Sequence, residues 1–458
     1  MSTVLLISFL VFLLFIGSGI PKSSFVSPHV LLLVPFIVAL IYGLLFYGFP
    51  VFTLSSQTCF LIAIGCAAFL LACIFAHILF RAKQGTYIPK NDPSPVALPS
   101  LFYILLLAFN CFTFILVYRS EAILVNQQGA QSGTLADTIS SYNDLSKFGA
   151  TDVALTGIPS YLFQVAYASC FVLGYLIAKQ AMSDTKRFSW LCTITYLISS
   201  FGLLLIGSRS LTISSFVGLG IMFILIAIRQ KKLPSLSKLP TRIVLPILLG
   251  AFAVVAAFFV FMPVIGRDLG TFSLREYIAV YLSAPLKNLD MYISSGYTSS
   301  SLFGQNTFTR LYDSLSKIST IDSSNLATIK QYQSFQGHFL GNVYSTFQAP
   351  LTDFGYLGAI VMVAIIGFVM QALYERALHG THSTRIPYSV LFYGYLGYSL
   401  FYSFFSNMFY ETVVSTGFLK FTVSLIIIKV VIHRFSSRST HIRTPYTPDQ
   451  PLKREDST

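Results

Sequence analysis

Charge is what this chain has least of. Asp, Glu, Lys and Arg make up 10% of its 458 residues, where a soluble globular protein carries about 25%. That scarcity excludes an ordinary soluble enzyme. The six cysteines form no CxxC pair and stand near no histidine cluster, which excludes a zinc ribbon and a thioredoxin-like redox motif. There is no P-loop, no HExxH and no GxSxG in a strand context, so nucleotide hydrolysis, zinc proteolysis and serine-hydrolase chemistry lose their signatures. No internal repeat is evident, which disfavours a transporter built from inverted repeats.

Apolar sequence is what remains. Hydrophobic residues account for 54% and the mean hydropathy is +0.71, so the chain reads as an all-α polytopic membrane protein. A span needs about 20 apolar residues. Runs of that kind fall at 3–20, 29–48, 58–80, 97–118, 155–178, 188–207, 210–228, 243–265, 354–374, 388–408 and 413–433, eleven give or take one, within a single integral membrane domain covering 1–458. The first run lacks a basic leader and reads as a retained helix rather than a cleaved signal peptide. Cys59, Cys66 and Cys73 recur every seven residues, so they share a helix face and read as packing.

The net charge of +13 is not a nucleic-acid footprint, because its basic residues sit in short loops between apolar runs. Segments 81–95, 179–187, 229–242, 374–387 and the tail from His433 hold 18 basic residues against 6 acidic, and 119–154, 207–209 and 266–353 hold 9 against 10. The positive-inside rule then places the first set, with the basic tail 434–458, in the cytoplasm. The N-terminus and the two long loops, 119–154 and 266–353, face outward. Within the larger loop, Ser273 and Glu276 form a capping box opening the amphipathic stretch SLREYIAVYLSAPLKNLDMYISS, which predicts a short helix on the outer membrane surface.

Arg209 is the only charged residue between Phe188 and Ile228. An arginine at mid-bilayer costs roughly 2.5–3.5 kcal/mol and much less at an interface, and the span lengths put Arg209 at the outer interface. One reading is snorkelling from a tight hairpin. The other starts from Ser208, which is placed to N-cap the next helix and leave Arg209 in its first turn. A cation there opposes the helix dipole unless an anion lies between them. Arg267 follows the eighth span at the same depth and reads either as a partner of Asp268 or as a second phosphate fork. Arg275 divides between a structural place beside the capping box and a phosphate contact. His338 is the only histidine in the outward segments, and structural and chemical roles are both open to it. Eight outer tyrosines suit sugar stacking or an interfacial belt.

The ordered set GSR at 207–209, GRD at 266–268, YLSAPLKNLDMYI from Tyr281, GNVYSTF at 341–347 and DFGYLGA at 353–359 resembles the Wzy-type O-antigen polymerases, more narrowly the oligosaccharide repeat-unit polymerase group. Gly220 also stands eleven residues after Arg209, the R-x10-G spacing of such polymerases. At about 1.5 Å per residue the two lie too far apart to touch one diphosphate. Gly218 and Gly220 are therefore expected to permit close helix approach or a groove for a polyprenyl tail.

The resemblance implies a GT-C-like enzyme of the bacterial inner membrane that joins undecaprenyl-diphosphate-linked repeat units at the periplasmic face, with no cofactor. A chain-length regulator protein is a further partner it admits. Metal-using GT-C transferases carry DxD- or ED-type pairs in outer loops; no such pair occurs here, so no metal is expected. On this reading Arg209 and Arg267 hold the diphosphate, with Arg275 in reserve. His338 acts as base or positions the acceptor, and Tyr344 and Asp353 contact the acceptor sugar. Two rivals stay open: an O-antigen ligase that transfers glycan to the lipid A core, and a flippase or transporter for lipid-linked sugars.

Overall fold

The computed structural model describes residues 2–21, 23–48, 51–83, 98–129, 133–148, 154–183, 189–230, 273–296, 303–316, 332–379 and 386–441. The run at 243–265 and Arg267 lie outside the described residues, as does most of the basic tail. Ten of the eleven apolar runs are helical. They are α1 (Thr3–Ser18), α2 (Pro28–Tyr47), α3 (Ser56–Lys83), α4 (Ser100–Gln127), α6 (Gly157–Ala181), α7 (Trp190–Gly202), α8 (Arg209–Arg229), α12 (Gln348–His379), α13 (Tyr388–Phe401) and α15 (Thr416–His441). Seven of these, all but α1, α7 and α13, are long and apolar enough to cross a membrane. The chain is an all-α membrane protein.

Most long helices bury one stripe and leave another apolar stripe exposed, as lipid requires, whereas α6 is buried on every side from Ala166 to Leu176. On α3, Cys59, Cys66 and Cys73 are buried while Phe60, Leu71 and Phe75 are open; the seven-residue cysteine repeat is a packing face. Without a hydrophobic drive between helices in lipid, small residues and polar pairs hold them together. A side chain at Gly367 of α12 would stand 2.5 Å from the Phe69 carbonyl oxygen of α3, and Cys73 Sγ donates to the Gly367 carbonyl at 3.4 Å. Asn110 of α4 donates to Ser169 of α6 (3.1 Å) and Ser199 of α7 (2.6 Å).

Shorter elements connect and pack against the long helices. They are α5 (Leu135–Phe148), α9 (Leu274–Leu282), α10 (Ala284–Ser294), α11 (Thr309–Ser316), α14 (Met408–Val413) and a hairpin of β1 (Gln333–Phe335) and β2 (His338–Gly341). Gln336 and Gly337 both adopt positive φ (48° and 81°) at its two-residue turn, the left-handed pairing that tight hairpins demand. The capping box predicted at Ser273–Glu276 is present with both of its bonds.

The surface helix expected from 273 onward is two helices, and the second is not at the surface. Pro285 breaks the run, and Ala284 through Asp290 of α10 are buried. The reason lies in its polar residues. Asp290 accepts from the Ser55 backbone N–H (2.7 Å) and the Thr58 hydroxyl (2.8 Å) at the start of α3. Lys287 donates to the Thr53 carbonyl (2.8 Å) and to Asp290 (3.0 Å), and Asn288 donates to the Leu340 and Val343 carbonyls (3.1 and 2.9 Å). Charges read as a solvated face are instead the ties between α3 and the β-hairpin.

Candidate functional site

Arg209 owes its position to the turn before it. After Gly202 the chain of α7 tightens into a 3-10 turn, Leu203–Ile206, and closes on Gly207 at φ 66°. Left-handed backbone favours glycine, and a side chain there would meet Asn143 Cβ of α5 at 2.6 Å. Ser208 occupies the N-cap position expected of it but makes no capping bond; its hydroxyl pairs with that of Ser210 at 2.7 Å. The backbone N–H groups of the first turn of α8 therefore do not receive the serine cap read from sequence.

The Arg209 side chain is 5% exposed. Its Nη2 donates to the Tyr277 hydroxyl of α9 at 3.0 Å, and the guanidinium carbon stands 5.8 Å from the Tyr281 ring centre, a cation–π distance. Tyr277 and Tyr281, one helical turn apart, contact each other with ring centres 4.8 Å apart and a 3.3 Å hydroxyl bond. Tyr281 stacks on Phe405 at 5.9 Å with planes 8° apart. Phe405 meets Tyr402 edge-on at 5.8 Å, and Tyr402 meets Tyr398 at 4.5 Å. Arg209 thus lies against an aromatic wall drawn from α9 and the end of α13. Burial, and then its neighbour Tyr281, push the Tyr277 phenol up to about 12, with Arg209 pulling the other way. The phenol is neutral at physiological pH, so this bond does not neutralise the guanidinium.

The remaining predicted residues divide around α9. Arg275 is exposed and stands two positions before Tyr277, on a different face from the one Arg209 meets; its backbone carbonyl accepts from Tyr42 at 3.1 Å. His338 of β2 is half-buried, edge-on to Tyr47 at 5.1 Å and near Phe46 at 6.4 Å. It also interacts electrostatically with Glu276, whose carboxyl is held low chiefly by its bonds to Ser273. Glu276 precedes Tyr277, so the residue His338 acts on and the residue Arg209 bonds are adjacent on α9.

Tyr344 is buried edge-on to Tyr292 at 6.0 Å, and burial raises its phenol above the usual range. Asp353 has its carboxylate engaged by the loop beside it, accepting from Asn306 N (3.1 Å), Asn306 Nδ2 (2.9 Å) and Thr307 N (2.6 Å). These two anchor the loops around the α12 entrance. Gly355, two residues on, breaks α12 with φ 69° and ψ −171°, a backbone state nearly confined to glycine. That conformation accounts for a glycine in DFGYLGA.

Sequence reasoning missed the aromatic wall as a unit. Its signals were the i,i+4 spacing of Tyr277 and Tyr281 and the run YSLFYSFF at 398–405. Gly218 and Gly220 also separate: a side chain at Gly218 would meet Phe171 at 2.6 Å and the Gly394 carbonyl oxygen at 3.0 Å, while nothing lies within 4 Å of one at Gly220. Among the described residues, no group of three His, Cys, Asp or Glu is arranged to hold a metal ion. Compared with protein-family models, curated proteins and solved structures, the chain matches none.

Proposed function

We propose that this protein joins polyprenyl-diphosphate-linked oligosaccharide repeat units into a surface polysaccharide at the periplasmic face of a bacterial inner membrane. The observation that carries the reading is the buried guanidinium of Arg209 at the first residue of α8, bedded on the Tyr277 hydroxyl and the Tyr281 ring. A fixed cation beside the N-terminal end of a helix dipole suits a diphosphate. Half-buried aromatic rings beside it suit the apolar faces of sugars.

An acceptor hydroxyl oxygen attacks the anomeric carbon of the donor. The bond from that carbon to the diphosphate oxygen breaks, and the polyprenyl diphosphate leaves with the electron pair. Direct attack inverts that carbon. Arg209 and Arg267 take the developing charge on the leaving group, with Arg275 in reserve. His338 takes the hydroxyl proton or positions the acceptor, and Tyr344 and Asp353 line the acceptor side. The reading also draws on the motif resemblance described above.

Purified protein incubated with lipid-linked repeat units is expected to produce a ladder of longer glycans. Arg209→Ala should lower turnover by about 100-fold or more, the scale of losing one preorganised charge-stabilising donor. Arg209→Lys should recover little of it, since lysine lacks the planar fork. Full turnover by a folded Arg209→Ala protein would sink the assignment. Transfer to a lipid A core acceptor without chain growth would favour the ligase.

A further inference from the structure

Glu121 of α4 is fully buried, and neither of its carboxylate oxygens has a hydrogen-bond partner. It lies seven residues beyond Phe114 and four before Val125, on one helical stripe. Phe114 packs into the space a side chain at Gly202 would need, and Val125 packs with Tyr142 in a cluster that includes Ile206. Glu121 lies between these two positions on that stripe, and α4 neighbours the 203–206 turn. Asn143 presses its Cβ on Gly207 at the end of that turn, and its buried Oδ1 is also without a partner. The turn is, moreover, the carbonyl end of α7, which carries negative partial charge.

Most of what gathers there is an acceptor, the Asn143 amide nitrogen and the Tyr142 hydroxyl hydrogen excepted. Two carboxylate oxygens, an amide oxygen and a helix C-terminus repel one another unless something positive joins them. Among the described residues, no facing side chain bonds to the Glu121 oxygens. Tyr142 accepts the Leu155 N–H at its hydroxyl oxygen and makes no bond to Glu121, and Asp137 and Asp144 of α5 are exposed. Tyr161 near the start of α6 is exposed, and Arg119 on α4 points outward. Tyr196 of α7 lies inward of Gly202, and Arg209 turns to Tyr277. The 203–206 turn itself has no titratable residue.

We propose that Glu121, with Asn143 Oδ1 and the carbonyl end of the 203–206 turn, forms a binding site for a monovalent cation, a proton or Na+. The bound cation pins the turn that delivers Arg209. The site sits behind Arg209 rather than in contact with substrate, so Glu121 is a positioning residue. Nothing in this proposal depends on the glycan reading.

The test is thermal unfolding of the purified full-length protein in detergent, followed with a thiol-reactive dye that reports exposure of the buried cysteines. At constant ionic strength, NaCl replaces choline chloride, and each salt is scanned from mildly acid to mildly alkaline pH. For Na+, the wild-type midpoint should rise when sodium replaces choline in the alkaline samples. For a proton, it should rise on acidification in choline. Glu121→Gln, which carries its own amide protons, should lose the sodium response and rise less than the wild type on acidification. A flat wild type, or a Glu121→Gln protein with the wild-type response, overturns the proposal. Should that variant fail to fold, the wild type is treated with dicyclohexylcarbodiimide, which modifies protonated carboxyls in apolar surroundings. An adduct at Glu121 that sodium or alkali suppresses supports the site, and no adduct there, or one indifferent to both, overturns it.

Discussion

Two glycines in one stretch show how unequal identical residues can be. Gly207 adopts φ 66° with Asn143 2.6 Å from where its Cβ would be, and Gly220 has open space. Gly207→Ala carries about 1–2 kcal/mol for the left-handed backbone and a clash in addition, so its unfolding midpoint should drop and glycan transfer should fall with it. Gly220→Ala should match the wild type in both, and a loss there would restore the R-x10-G spacing as a functional unit. Tyr277 adds a dependence on pH. Its folded phenol, pushed up to about 12, holds the proton more tightly than an unfolded one near 10. Its contribution to stability is therefore complete below about 10 and lost as pH rises through about 12. Unfolding midpoints of wild type and Tyr277→Phe should differ by a constant amount across neutral pH, where the variant loses a hydrogen bond to a charged group of about 1.5–3 kcal/mol. The difference should change only in strong alkali.

Among helices, the contact of α3 with α12 has the least room. The atom facing Gly367 is a backbone oxygen, Phe69 O at 2.5 Å, and it cannot rotate away as a side chain can. Gly367→Leu should therefore force the helices apart and cost more than the 1–3 kcal/mol of ordinary overpacking, read as loss of folded protein in detergent. Helices of this class were legible from sequence because lipid selects them by length and apolarity alone. The capping box at Ser273 was legible for a similar reason, being local chemistry within four residues. The fate of α10 was not, because Lys287, Asn288 and Asp290 look like a solvated face until α3 and the β-hairpin arrive from distant sequence. The same holds for the site. Arg209 stood out as the one charge in its stretch, but its partners lie 68 or more residues away, and nothing near Arg209 in the chain announces them. Glu121 falls by sequence in the outward segment 119–154, and its burial is not visible in composition.

For the molecule as a whole, the asymmetry of basic residues predicts an orientation that can be checked directly. A fluorescent protein fused after Thr458 should light up in the cytoplasm, and an impermeant maleimide should reach Ser273→Cys from the periplasm. The opposite pattern would invert the molecule and move the Arg209 wall to the cytoplasmic side. On the proposed orientation the turn between α7 and α8 bears on biogenesis. Only Gly207 and Ser208 separate the 3-10 turn from α8, so the two segments have no loop to let them enter the bilayer one after the other. They must go in as one helical hairpin, with Arg209 carried across at the tip. That passage exposes a guanidinium to hydrocarbon at roughly 2.5–3.5 kcal/mol, and α7 with its extension is too short to be counted a span by itself. Membrane insertion of this pair is therefore expected to be cooperative and driven mainly by α8, and shortening the apolar run of α8 should strand both helices outside the membrane.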